Sequence, residues 1–454
     1  MFRAIGPVVF TVALVSVRNG AKRSFGRLLV GAGRASFYCQ RAMSDPYFQK
    51  LFADRIGGVN YGKSTEIYKF EKIKRAKRKA LAEHPERRLL DFGIGENDEM
   101  AAPQVREKMV EELNKLENRG YADNGCIEFK EAVARFMKRR FNVDLDPATE
   151  INHAIGSKPA LAMMPEVFIN PGDVTLMTTP GYPVAGTHTR YNGGEVYNLP
   201  LLPENDFYPD LDSIPEDILK RAKLLVINYP NSPTGQLGTV EFFKKVIAFA
   251  KKNEIVVVQD AAHSMFSFRK PPMSFLEVEG AKDVGVEIHS MSKGWNMIGW
   301  RLGWVCGNER IVRAYADVKD NSDSGQFLAI QKSAAFALDD DSIPDQARAK
   351  YLRRLQKLVS TLNQCGFDCE VPGGTYFLYV KAPVGLKGGR RFANAEEVGQ
   401  FLITEQSICT VPWDNAGAYL RFSVTYLADT EEKEDELMAS LKERLDKISF
   451  EFQS

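Results

Sequence analysis

Short apolar runs alternate with amphipathic stretches through the middle of the chain, a beat that predicts strands separated by helical crossovers. Glu150–Ile155 reads as a strand leading into a helix after Gly156, and Asp173–Met177 as a strand leading into the Pro180–Pro183 turn. Leu224–Asn228 and Glu254–Asp260 read as strands on either side of a helix over Val240–Lys252. Continuous runs of valine, isoleucine and leucine are typical of strands buried on both faces, so the pattern predicts an α/β fold with a mostly parallel central sheet. Upstream, Ile67, Phe70 and Ile73 recur at helical spacing in a basic stretch from Ile67 to Ala82. Arg88–Gly95 reads as a short strand ending in glycines, and Pro103 to about Leu116 and Ile127 to Phe141 read as helices. From about Pro344 the style changes to a charged helix reaching Gln364, a hairpin-like Gly373–Val380 and a helix after Asp429, which predicts a smaller α+β domain. The expected division is an N-terminal extension over 1–43, a segment over 44–96 that also joins the small domain, a large domain over 97–340 and the small domain over 341–454.

Composition narrows the picture little. With 454 residues, 44% hydrophobic and 26% charged, the chain has enough material for two cores. A formal net charge of +1 supplies no global field for nucleic acid or an anionic membrane, and neither is expected as a partner. The charge is uneven: Arg3, Arg18, Lys22, Arg23, Arg27, Arg34 and Arg41 all precede the first acid, Asp45. Residues 1–42 are also apolar from Ile5 to Val17, a run too short to span a bilayer. They read as a secretory signal, as a plastid or mitochondrial transit peptide, or as sequence upstream of a start at Met43. An intracellular compartment, the cytosol or an organelle, fits better than secretion. Cys39, Cys126, Cys306, Cys365, Cys369 and Cys409 are scattered without a CxxC pair, so reduced thiols are expected and no metal site.

Ligands of open α/β sheets sit beyond the carboxyl ends of the strands, so residues following each strand are the ones to inspect. In His289–Trp304, Ser290 and Ser292 precede Lys293, and Arg301 follows eight residues later. Two hydroxyls, an amine and a planar guanidinium at these intervals suit an aldehyde cofactor held by its carbonyl and its phosphate, which points to pyridoxal 5′-phosphate. Gly156-Ser157-Lys158 opens a helix whose free N–H groups suit an anion. Tyr182 between prolines offers a ring to stack on a heterocycle. Asp260 ends the most apolar strand, where an ionised carboxylate demands a cation; a protonated pyridine nitrogen is one. Asn228–Gly235 is a proline-fixed turn whose Asn231 amide can serve a ring oxygen. Arg421, among apolar neighbours, matches a substrate carboxylate.

Together these residues resemble the class I/II aminotransferases of pyridoxal-phosphate fold type I, from about Asn60 to the C-terminus. The resemblance implies that Lys293 bonds to the cofactor aldehyde, that Asp260 partners the pyridine nitrogen, and that Ser157, Lys158, Ser290 and Arg301 surround the phosphate. It further implies that Tyr182 stacks on the ring, that Arg421 clamps the α-carboxylate, and that Tyr121 reaches the phosphate of a second subunit in a homodimer with shared active sites. Two positions depart from the family pattern. Ser232 stands where asparagine usually precedes the proline of the turn, with Asn231 one place earlier, and His263 replaces a tyrosine. A histidine there is expected to add a titration near neutrality.

Gly58–Gly62 and Asp91–Asp98 resemble the opening of LL-diaminopimelate aminotransferases. That likeness implies ping-pong transfer between LL-2,6-diaminopimelate or tetrahydrodipicolinate and the glutamate/2-oxoglutarate pair, with Tyr61 and Gly95 near the substrate. Glu96, Asp98 and Glu99 are candidates for its distal ammonium, and Tyr61, Lys63 and Asn321 for its distal carboxylate. The alternatives are an aspartate or aromatic aminotransferase and a carbon–sulfur β-lyase on the same fold. A non-catalytic regulator would need a fused DNA-binding unit, for which the residues before Ser44 are too few.

Overall fold

The computed structural model describes residues 46–63 and 69–453. The reading of residues 1–43, with Cys39, and the proposed helix start at Ile67 lie outside the described residues. Two compact units divide the chain, Met1–Ser64 and Thr65–Ser454. In the first, helix Pro46–Gln49 precedes two single turns, Asp54–Ile56 and Gly58–Asn60. The Gln49 carboxamide donates to the carbonyls of Val59 and Tyr61 at 3.0 and 2.9 Å, and the rings of Phe52 and Tyr61 lie 4.5 Å apart.

The second unit is built on a seven-stranded sheet: β1 Ile151–Ala154, β2 Val174–Thr179, β3 Glu195–Pro200, β4 Ala222–Asn228, β5 Val256–Asp260, β6 Gly285–Ser290 and β7 Gly303–Gly307. Their order is β1-β7-β6-β5-β4-β2-β3. Only β7 runs against its two neighbours, β1 and β6. Alternation along the strands explains the burial. Leu225, Ile227 and Val257 face one layer of helices, against Phe129 and Phe136 of Ile127–Phe141 and Phe243 of Val240–Asn253. Leu224, Val226 and Val258 face the other, against Leu161 and Met164 of Ser157–Phe168 and Tyr315 of Glu309–Asp320. Burying each such side chain is worth about 1.5–3 kcal/mol, and a one-residue slip would move Asp260 to the wrong face, so packing fixes the register that function needs.

A second core lies between helices Ser342–Gln364 and Glu431–Leu445 and a three-stranded antiparallel sheet of β8 Phe377–Lys381, β9 Val411–Trp413 and β10 Tyr419–Ser423. Leu90 and Phe92 pack in this core, and Leu90–Asp91 pairs in parallel with Ile408–Cys409. The strand expected over Arg88–Gly95 is thus two residues long; the chain beyond it becomes an irregular loop. Strands β3, β6 and β7 do not stand out in the sequence: β3 is a largely exposed edge, and β7 begins and ends with glycine. No helix of the described residues is long and apolar enough to cross a membrane, and no group of three or more metal-ligating side chains occurs among them.

Candidate active site

Strands β4, β5 and β6 are parallel neighbours and end on one rim with Asn228, Asp260 and Ser290. A cavity of about 390 Å³ opens there. Just past β6, the single turn Met291–Gly294 is capped by Ser290, whose Oγ accepts from the Ser292 N–H at 3.2 Å. That turn aims Lys293 into the cavity. Its Nζ donates to the carbonyl of Gly95 at 2.9 Å and lies 5.4 Å from the Tyr376 ring centroid. The Tyr376 hydroxyl donates to the same carbonyl at 3.0 Å.

An anion cradle forms one wall. Gly156, with φ of +78°, caps helix Ser157–Phe168, and Ser157 and Lys158 line the cavity at its first turn. A Cβ on Gly156 would sit 2.5 Å from a guanidinium nitrogen of Arg301, so glycine is what lets the arginine in. Arg301 itself holds a left-handed φ of +56°. Its Nη1 donates to the Ile298 carbonyl at 3.0 Å and to Ser292 Oγ at 3.4 Å.

Two buried charges lack counter-ions among the described residues. Asp260 Oδ1 accepts one backbone N–H, from Ala262 at 3.1 Å. Burial pushes its pKa up to about 6, against the pull of that N–H, His289 and Lys293. Arg421, on β10, has Nε unpartnered, donates from Nη2 to Gly93 O at 3.3 Å and lies 4.1 Å over the Phe377 ring. Burial lowers its pKa to about 10, which leaves it a cation. On the same cavity wall His263 is buried with Nδ1 unpartnered, its ring 5.2 Å from Tyr376. Burial, with Lys293 and Arg421 nearby, drives its pKa down to about 3. The expected titration of His263 near neutrality is therefore corrected: the ring is neutral there.

The cavity brings together Gly95, Ser157, Lys158, Tyr182, Asp260, His263, Ser290, Lys293, Arg301 and Arg421 from the sequence reading. Asn231 is not on its wall. Its Nδ2 donates to Asn228 O at 3.2 Å and its Oδ1 accepts from Thr234 N and Oγ1 at 3.2 and 2.7 Å, so the turn consumes the amide; Ser232 and Asn228 face the cavity instead. Of the three acids, Glu96 lines the wall, whereas Asp98 and Glu99 bond to Lys350, each at 2.7 Å. Asn321 caps helix Glu309–Asp320, its amide donating to Asp317 O, and is exposed away from the cavity wall. Tyr121 is 84% exposed and absent from this chain's cavity wall. Tyr61 and Lys63 belong to the first unit, and both are exposed. Tyr376 and Phe377 escaped the sequence reading; the Gly373-Gly374-Thr375 turn before them was the available signal.

Residues 87–441 match the family model described as aminotransferase class I and II. A protein of Methanocaldococcus jannaschii named LL-diaminopimelate aminotransferase is 54% identical over 418 residues, covering 90% of this chain and 100% of that protein. One of the same name from Aquifex aeolicus is 38% identical, covering 82% and 95%. Among solved structures, substrate-bound BacF from Bacillus subtilis superposes with a TM-score of 0.77 at 29% identity, covering 86% of this chain and 97% of that one.

Proposed function

The chain belongs to the class I and II aminotransferases, and from that premise we propose that it moves an amino group between LL-2,6-diaminopimelate and 2-oxoglutarate, or back from glutamate to tetrahydrodipicolinate, a step of lysine synthesis. The observation that carries the substrate is the 54% identity running along the whole of the Methanocaldococcus jannaschii relative.

The cavity fits pyridoxal phosphate, the cofactor of this family. Asp260 is a buried carboxylate in need of a cation, and a protonated pyridine nitrogen meets that need. Gly156 leaves, beside Arg301, room that a Cβ would fill, at a helix N-terminus suited to phosphate oxygens. When bound, the cofactor supplies an aldehyde that takes up the amino group and a ring that accepts the electron pair left at the substrate Cα.

On this reading Ser157, Lys158, Ser290 and Arg301 bind the phosphate, Tyr182 stacks on the ring, and Ser232 with neutral His263 serves the ring oxygen. Asp260 holds the proton on the ring nitrogen. Lys293 takes the proton from the substrate Cα at its Nζ, while Arg421 fixes the α-carboxylate with two parallel hydrogen bonds. Residues 97–340 form the cofactor-holding domain, and 341–454, with the stretch around Phe92, the small domain that carries Arg421. Tyr121, so exposed in one chain, completes the phosphate site of a second copy in a homodimer.

A half-reaction screen tests the proposal. Cofactor-loaded protein is mixed with single amino acids, including LL- and meso-diaminopimelate and glutamate, and the visible absorbance is followed. Bleaching by LL-diaminopimelate and by glutamate is expected. Silence toward every diaminopimelate isomer removes the substrate, and silence toward all amino acids removes the transamination.

A further inference from the structure

The loop from Gly93 to Glu99 touches both functional cations. Its Gly93 carbonyl accepts from Arg421 at 3.3 Å and its Gly95 carbonyl from Lys293 at 2.9 Å. From Glu96 to Met100 it makes no backbone–backbone hydrogen bond among the described residues. Side chains therefore set its position. Asn97 donates to the Lys293 carbonyl at 2.6 Å, and Glu99 accepts from Lys350. Asp98 makes the deepest attachment: its carboxylate accepts from Lys350 at 2.7 Å, pairs with Arg354 at 3.1 Å and accepts from the Tyr351 hydroxyl at 3.2 Å. Asp98 is 3% exposed and Arg354 0%.

Arg354 is saturated on its other side. Its Nε donates to Glu434 at 2.7 Å, and its terminal nitrogens donate to the carbonyls of Val424, Tyr426 and Ala428 at 2.8–3.0 Å. A buried ion-pair network of this kind adds little net stability over apolar packing of the same volume. What it supplies is direction: a guanidinium held by four other acceptors has one remaining place for a carboxylate, and that place fixes the loop.

We propose that Asp98 is a positioning residue for the reaction, locking the Gly93–Glu99 loop in the arrangement that presents its carbonyls to Lys293 and Arg421. The inference rests on the aminotransferase reading of the cavity. Without the lock, the loop spends part of its time displaced, and only the fraction in place binds substrate well. The apparent affinity then falls by that fraction, while turnover of the filled site is nearly kept.

Asp98→Asn tests this in the cofactor-loaded enzyme with LL-diaminopimelate as donor. Its KM should rise by about tenfold or more, with kcat within about threefold and the visible absorbance intact. Glu434→Gln, at the remote end of the same network, is the control: it should lower Tm comparably and leave KM within about twofold. An unchanged KM in Asp98→Asn, or an equal rise in Glu434→Gln, overturns the proposal. Should Asp98→Asn fail to fold, Lys350→Met removes one of its donors and must raise KM by at least about threefold. Lys293→Ala separates the two claims. If it keeps the visible absorbance, the aminotransferase reading fails and takes this inference with it; if it loses the absorbance and Asp98→Asn binds donor normally, the inference fails alone.

Discussion

Lys293 donates to the carbonyl of Gly95 across 2.9 Å, so the amine that follows β6 is held by a neutral backbone oxygen and not by a carboxylate. A neutral acceptor releases its donor to a new partner at lower cost than an anion would. Lys293→Ala should therefore remove the visible absorbance and cut turnover to below about one ten-thousandth, with Tm changed by only a few degrees, roughly 1 kcal/mol. Spectra and single-turnover assays on the purified variant check it, and retained turnover would end the assignment.

Asp260 ties function to stability with opposite signs. Its pKa in the folded chain is about 6 against an ordinary 3.8, so folding favours its protonated form. The cofactor-free protein should lose stability as pH rises from about 4 to about 6 and stay weakened above, by at most about 3 kcal/mol. Asp260→Asn should then raise the Tm of cofactor-free protein at pH 8 while lowering kcat by about 10²-fold or more. Thermal melts of both proteins at pH 4 and pH 8 read the sign, and a lower Tm for the variant at pH 8 contradicts it.

The parts of the site that were legible in the sequence are those set by chain-local rules. Asp260 ends an apolar strand and Ser157 follows a glycine at a helix start, while Ser290, Lys293 and Arg301 declare themselves by their spacing although the strand before them does not. What failed depended on which atoms meet across the chain. Asn231 and Ser232 are adjacent in the sequence, yet only the hydrogen bonds inside the turn decide that the Asn231 amide is consumed there while Ser232 lines the cavity. Asp98 looked like a free acid in a loop because its partner, Arg354, stands in a distant helix. The alternation of buried strands gave the sheet; exposed β3 and glycine-bounded β7 carried too little apolar signal to be seen.

His263 is neutral well below physiological pH, since burial and two cations hold its pKa at about 3. His263→Gln should reduce kcat by about tenfold through a lost hydrogen bond, yet shift the limbs of the pH profile of kcat/KM by less than about half a unit. A limb near neutrality that vanishes in the variant would show that this imidazole does titrate.

Arg421 carries an unpartnered Nε and sits over Phe377, an arrangement that costs stability until an anion arrives. Arg421→Met should raise the KM for amino acids by about 10²-fold and leave Tm unchanged or higher, whereas Arg421→Lys should recover little, since an ammonium lacks the two-pronged geometry. Steady-state kinetics with melting curves distinguish the outcomes; a large loss of Tm in Arg421→Met would mark the guanidinium as a structural strut.

The reversal of β7 makes the stretch between Lys293 and Arg301 a ruler. Lys293 comes after a strand and Arg301 before one, and because β7 runs against β6, both reach the same rim although seven residues of chain lie between them. Surface loops usually tolerate extra residues at small cost. Here the segment also carries Trp295 and Met297, buried at 2% and 0%, so one added or deleted residue would disturb core packing as well as unseat the guanidinium from its glycine-lined slot. The length of this segment and its two buried side chains thus act together to hold the guanidinium beside Gly156.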